Sequence, residues 1–201
     1  MAEWQVTAST DDGRRYYIPS PNWTLTTSSL YCGNVSGQLM GSFMRFLNVT
    51  IPAGKRIDTA VLYLRCRTAR SGTVVNTRIR AQKAANPITF SDITDFDARV
   101  WTDEYINWDE IEAWSAPLYY TSDDFKAVVQ EVINLPGWAS GNAMVILWDD
   151  WEGRSSLNAE RHPYSWDGGA LSATKLIVTY SDPPPAGGEG GPANLVAAGI
   201  I

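Results

Sequence analysis

Residues 74–82 read Val74-Val75-Asn76-Thr77-Arg78-Ile79-Arg80-Ala81-Gln82, and over most of that length apolar and polar side chains alternate. Val75, Thr77, Ile79 and Ala81 fall on one side of an extended chain, and Asn76, Arg78, Arg80 and Gln82 on the other. Successive side chains of a strand point to opposite faces, so the pattern predicts a half-buried strand with one wet face. Residues 60–67 repeat it, with Ala60, Leu62, Leu64 and Cys66 inward. Short runs rich in β-branched and aromatic residues, bounded by Gly, Pro, Asn or Ser, mark further strands at 4–8, 16–18, 43–49, 143–148 and 175–180. So many strands in one domain predict an all-β fold, specifically a jelly-roll β-sandwich.

One amphipathic helix interrupts this pattern. Thr121-Ser122-Asp123-Asp124 has the form of a capping box, and Phe125, Val128, Val129, Val132 and Ile133 follow at helical spacing. Pro136-Gly137 ends it. A second short helix is expected around residues 109–114. After Asp182 the composition changes to a stiff Pro183-Pro184-Pro185 and then a glycine-rich stretch. The chain therefore divides into a β-sandwich domain at 1–182, a linker at 183–191 and an apolar, extended C-terminal arm at 192–201. Fully extended, the linker spans up to about 30 Å, so the arm can reach a neighbour. Leu195, Val196, Ile200 and Ile201 are its candidate partner-binding residues, docking by strand addition to a neighbour's sheet edge.

The 201 residues are 44% hydrophobic and 19% charged, with a net charge of −6, a globular balance. No Lys/Arg cluster is present to neutralise phosphates, which argues against a nucleic-acid partner. No apolar run approaches the roughly 18 residues of a membrane helix, so no membrane partner is expected. The first residues lack the basic patch and apolar stretch of a secretion signal.

His162 is the only histidine, in a stretch rich in Gly, Pro and Ser with no nucleophile elbow, and reads as an ordinary loop residue. One histidine and two distant cysteines, Cys32 and Cys66, match no zinc-ligand spacing. The cysteines either pair across adjacent strands or remain as two buried thiols. No catalytic residue, metal or cofactor is expected, and an enzyme using Asp149, Asp150, Glu152 and His162 is the weakest reading. Trp148-Asp149-Asp150-Trp151-Glu152 admits three readings. It is a strand ending in Trp148 with an acidic turn, or a sugar platform of Trp148, Asp149, Asp150 and Trp151, or a calcium site. Residues 91–97 space their acids somewhat like a calcium loop but lack its glycine and distal glutamate, and so read as a solvated loop. Trp101, Trp108, Trp114 and Trp138 are expected to plug the ends of the sandwich.

A longer pattern runs through residues 43–67, where a strand meets the turn Ile51-Pro52-Ala53-Gly54 and Ile57-Asp58-Thr59-Ala60 opens the next strand. Asn107-Trp108, the helix, Leu135-Pro136-Gly137-Trp138-Ala139-Ser140-Gly141-Asn142-Ala143 and Lys175-Leu176-Ile177-Val178-Thr179-Tyr180 continue it. Over roughly residues 40–180 the chain resembles the non-catalytic β-sandwich modules of the DNRLRE type, akin to jelly-roll carbohydrate-binding modules. Such modules are usually appended to secreted bacterial proteins and occur occasionally in phage structural proteins. The resemblance implies a binding, adhesive or structural role and supplies no catalytic residue. The expectation is a non-catalytic virion structural protein, a phage capsid-decoration or tail-associated subunit. It would bind neighbouring subunits through its arm, as a homo-oligomer or on a major capsid or tail protein. The alternative is an extracellular carbohydrate-binding or adhesion module, with a glycan on Trp148, Asp149, Asp150 and Trp151.

Overall fold

The computed structural model describes residues 1–70, 74–150 and 152–184. Its strands are β1 (Ala2–Gln5), β2 (Asp12–Tyr16), β3 (Asn22–Thr24), β4 (Cys32–Val35), β5 (Gln38–Val49) and β6 (Arg56–Thr68). They continue with β7 (Thr77–Ala81), β8 (Ile106–Trp108), β9 (Tyr119–Thr121), β10 (Asn142–Asp149), β11 (Glu160–Pro163) and β12 (Lys175–Ser181). Two helices, α1 (Ile93–Ala98) and α2 (Lys126–Ile133), complete the described secondary structure apart from a single 3-10 turn. The fold is all-β and its ladders are antiparallel, following the order β1-β12-β6-β11-β4-β5-β10-β7-β8. Beside this path, β9 pairs with β6, β2 with β5, and β3 with β2.

The path turns over on itself at β11. His162 and Pro163 pair with β6, whereas Glu160 and Arg161 pair with β4. The two halves then share one sandwich-like core. Ala60, Leu62, Leu64 and Cys66 of β6 and Leu176 and Val178 of β12 contribute from one layer. Met44 and Phe46 of β5, Ile79 and Ala81 of β7, and Met144, Ile146 and Trp148 of β10 contribute from the other. The period-two readings of β6 and β7 hold: Thr77, Ile79 and Ala81 are buried, and Arg78 and Arg80 lie on the outer face, half-buried. The helix α2 closes one end against β6 and β7, with Val128, Val129, Val132 and Ile133 in the core.

Residues 143–148 show no alternation, and the reason is a third layer. On the outer face of β5 and β10, Phe43, Val145 and Leu147 join Phe90 and Phe96 in a second apolar cluster, with Trp23, Leu25 and Trp101 packed against it. A strand covered on both faces has no polar side to show. The cover comes from residues between β7 and β8, including α1, together with residues around β3.

Several local expectations are corrected. The capping box before α2 does not form as expected, because its side chains also serve β6. Ser122 Oγ accepts from Leu62 N at 2.9 Å, Asp124 Oδ1 accepts from both Ala60 N at 2.9 Å and Lys126 N at 3.0 Å, and Phe125 takes the cap position without a side-chain bond. No helix forms at residues 109–114, where β8 is followed by irregular chain. Residues 91–97 are not a solvated loop: Asp92 caps α1 by accepting from Asp95 N at 2.9 Å. Cys32 and Cys66 are free and buried. They sit opposite Arg161 and Pro163 on the strands flanking β11, so a whole strand separates them and a disulfide is out of reach.

Phe43 ties the third layer together, stacking near Trp23 at 5.9 Å and lying 4.3 Å from Phe90 and 5.0 Å from Phe96 between ring centroids. Replacing it (Phe43→Ala) is expected to cost about 3–5 kcal/mol in chemical denaturation, because the rings around it cannot all collapse inward.

Candidate functional site

The tryptophan–aspartate platform expected at 148–151 is not a surface. Trp148 is fully buried because it lies on the face of β10 that packs into the sandwich core, and its indole N–H donates to Thr77 Oγ1 at 2.8 Å. Its ring lies 5.4 Å from Trp108 and 6.0 Å from Trp114, in a tryptophan cluster inside the sandwich. Trp138 is buried as expected, donating to Ile51 O at 3.0 Å, whereas Trp101 is only half-buried.

Asp149 faces outward on β10 but is also fully buried. It stands in the cross-strand row Arg15, Gly41, Asp149, Arg78. A Cβ on Gly41 would come within 2.5 Å of Asp149 Cβ, so only glycine lets the carboxylate sit in this row. Its Oδ2 accepts from the Tyr17 hydroxyl at 2.9 Å and from Arg80 at 3.2 Å, and Arg78 Nε lies 3.9 Å from Oδ1. Burial pushes this carboxyl up, and Arg80, Tyr17 and Arg78 pull it back toward the ionised form. Burial raises Asp150 as well, while Arg154 N at 2.8 Å and Ser155 N at 3.0 Å donate to it and fix the following turn. Trp151 and the four arm residues Leu195, Val196, Ile200 and Ile201 lie outside the described residues.

His162 is a strand residue rather than a loop residue. It is buried in β11, stacked 3.8 Å from Tyr31 between centroids, with Glu160 Oε2 2.9 Å from its Nε2. Its side-chain neighbours are thus Tyr31 and Glu160 rather than Asp149 or Asp150. Among the described residues no three His, Cys, Asp or Glu side chains converge as a metal site. The acids of 91–97 are already engaged: Asp95 with Arg99 at 2.7 Å and Asp97 with Arg15 at 2.8 Å.

Three surface arrangements were not singled out from the sequence. The first lies on the outer face of β6, where Tyr63, Arg65 and Arg67 alternate with buried Leu62, Leu64 and Cys66. Tyr63 stacks on Tyr119 of β9 at 4.6 Å. The Arg65 guanidinium is 5.5 Å from the Tyr119 ring and 5.6 Å from the Tyr164 ring, and that of Arg67 is 5.9 Å from Tyr164. Leu118, next to Tyr119, is 57% exposed. The alternation of β6 was the available signal, but its partners come from residues 119 and 164, far along the chain. The second is a cleft of about 180 Å³ on the opposite layer, lined by Tyr17, Arg80, Phe96, Asp97 and Trp101. A groove of about 250 Å³ also runs between Trp108, Trp114 and Tyr120 under the carboxylates of Asp109, Glu110, Glu112 and Asp123.

No protein-family model matches the chain, and no curated protein is significantly similar to it. Among the described residues no helix is long and apolar enough to cross a membrane.

One buried acid stands apart from this pattern of pairing. Asp12 accepts from Trp166 N at 2.8 Å, while its neighbour Asp11 takes Arg45 at 2.9 Å. Burial raises the Asp12 carboxyl to about 7 against the Trp166 amide, with Asp167 and Asp11 adding repulsion. In the unfolded chain it titrates near 3.8, so the folded chain binds a proton more tightly. The resulting stabilisation is complete below about pH 4 and is lost as pH rises through 7, and amounts to about 4 kcal/mol. Denaturation midpoints are therefore expected to fall less between pH 5 and pH 8 in Asp12→Asn than in the parent chain.

Proposed function

We propose that the chain is a non-catalytic structural subunit of a larger particle, a phage capsid-decoration or tail-associated subunit, within the binding, adhesive or structural role its resemblance implies. It joins neighbouring copies through the Tyr–Arg face of β6, β9 and Tyr164. The observation that carries this reading is the stacked ladder of Tyr63, Tyr119, Arg65, Tyr164 and Arg67 on an outer sheet face. Tyrosine and arginine are the residue types enriched at interface centres, where they bury large areas and still reach polar partners.

Charge names the occupant. The ladder is basic in a chain of net charge −6, and the groove carrying Glu110, Glu112 and Asp123 is its acidic complement on another copy, Asp109 being already paired with Arg154 at 2.8 Å. A contact from the ladder of one copy to the groove of the next is heterologous, and repeating it generates a ring or a continuous array. The apolar arm at 192–201 is a further means of attachment in this reading, which does not depend on it.

Light scattering of the full chain at low salt is expected to show oligomers that dissociate in the double variant Tyr119→Ser/Arg67→Glu and at high salt. Particles banded from the source lysate are expected to carry the chain. A monomer at all concentrations that also stays in the particle-free fraction would overturn the reading.

A further inference from the structure

We infer that the Tyr–Arg face is one end of a longer strip that reaches Tyr31, Arg14 and Tyr16, and that the strip docks an extended acidic segment of a different protein. The segment is a run of Asp and Glu side chains on an extended backbone. The inference goes beyond the assembly reading, because Tyr31, Arg14 and Tyr16 take no part in the ladder between copies.

Continuity comes from residues 29–31. The Arg67 guanidinium donates to Ser29 Oγ at 3.0 Å, and Ser29 bridges to Tyr164 of the ladder. Two residues on, Tyr31 lies on the same side of the chain as Ser29, with Leu30 between them turned into the core. The Arg14 guanidinium stacks on the Tyr31 ring at 4.0 Å and lies 5.5 Å from the ring of Tyr16. From β9 through β6 and β11 to Tyr31 is three strand spacings, about 14 Å, and Arg14 stands beyond that. A peptide of about five or six extended residues covers this length.

Charge identifies what lies along it. Every lysine forms an ion pair among the described residues, and so does every arginine except Arg14, Arg65, Arg67 and Arg161. Arg161 is buried and donates to backbone carbonyls. The other three are half-buried or exposed, and all of them sit on this strip. Unpaired cations are thus confined to one surface of a chain whose net charge is −6. Each is held before any partner arrives. Arg65 donates to Ser172 Oγ at 2.7 Å and Pro117 O at 3.2 Å, Arg67 is fixed by Ser29, and Arg14 rests on Tyr31. Such fixing lowers the ordering cost of binding, and a guanidinium pairs with a carboxylate through two parallel bonds.

A single-stranded nucleic acid suits the strip less well, because its bases need free ring faces. Tyr31 is taken on both faces, by His162 at 3.8 Å and by Arg14. Tyr63 and Tyr119 stack on each other, and Tyr164 is attended by Arg65 and Arg67. Arg65 and Arg67 serve both the next copy and the acidic segment, so the segment goes to a copy whose ladder no neighbour covers.

The test is fluorescence anisotropy of fluorescein-labelled hexaglutamate, titrated with the full chain at low salt and at protein concentrations where light scattering shows monomer. Hexaglutamine and decathymidylate with the same label are the comparisons. Hexaglutamate is expected to bind saturably, more tightly than either, and to be released as salt rises. Its affinity is expected to fall about fivefold in Arg14→Gln, which lies outside the ladder, and by a similar factor in Arg67→Gln. The exposed Arg67 keeps the test valid if Arg14→Gln disturbs Tyr31. No binding of hexaglutamate, unchanged affinity in either variant, or tighter binding of decathymidylate would each overturn the inference. Hexaglutamate binding by a chain that never forms oligomers and stays out of particles would overturn the assembly reading alone.

Discussion

Covering β5 and β10 on both faces is the constraint from which the rest of the architecture follows. Two central strands with no polar side need apolar material above and below. The sandwich partner β6–β12 supplies one cover; the long excursion between β7 and β8, with α1, and the residues around β3 supply the other. The second cover is shorter than the sheet. Where it ends, the outer face must become polar while still shielded, and the row Arg15, Gly41, Asp149, Arg78 occupies that margin. The cleft of Tyr17, Arg80, Asp97 and Trp101 is the seam between the apolar cover and that polar row.

The contrast between Asp149 and Asp12 shows how strongly partners decide the fate of a buried acid. Both leave water, and burial raises both. Asp149 meets two arginines and a tyrosine hydroxyl, which favour its charge and hold it as a structural anion. Asp12 meets one backbone amide and two acidic neighbours, so its proton stays through most of the acid range. Neither environment is local in sequence: Tyr17 and Arg80 converge on Asp149 from β-strand regions well apart, and Trp166 reaches Asp12 from near the other end of the chain.

What was legible in the sequence was whatever one strand or helix determines by itself. The alternation in β6 and β7, the apolar stripe of α2 and the core positions of Trp108, Trp114 and Trp138 read correctly because burial periodicity is a property of a single element. The short strands β3, β8 and β9 escaped because each has three residues and is defined by its partner rather than by its own pattern. Ser122 and Asp124 misled for a related reason: side chains suited to capping a helix also serve the backbone of β6, and Asp124 Oδ1 is shared between Ala60 N and Lys126 N. The acidic turn after Trp148 looked like a surface because nothing in those residues announces a third layer contributed by residues 82–102. The Tyr–Arg ladder and the cleft are tertiary in the same sense, each assembled from positions spread over much of the chain.

The pairing of β1 with β12 sets how the domain responds to tension. Ala2 lies opposite Val178 and Gln5 opposite Lys175, so the start of the first strand sits beside the late part of the last one. A force applied through the two ends therefore meets the outermost pair first and opens the β1 ladder one rung at a time. Beneath it, β12 is held to β6 over a longer register, from Lys175 opposite Tyr63 to Ser181 opposite Arg56. The first strand is a mechanical fuse: it can peel away under load while the sandwich behind it stays closed.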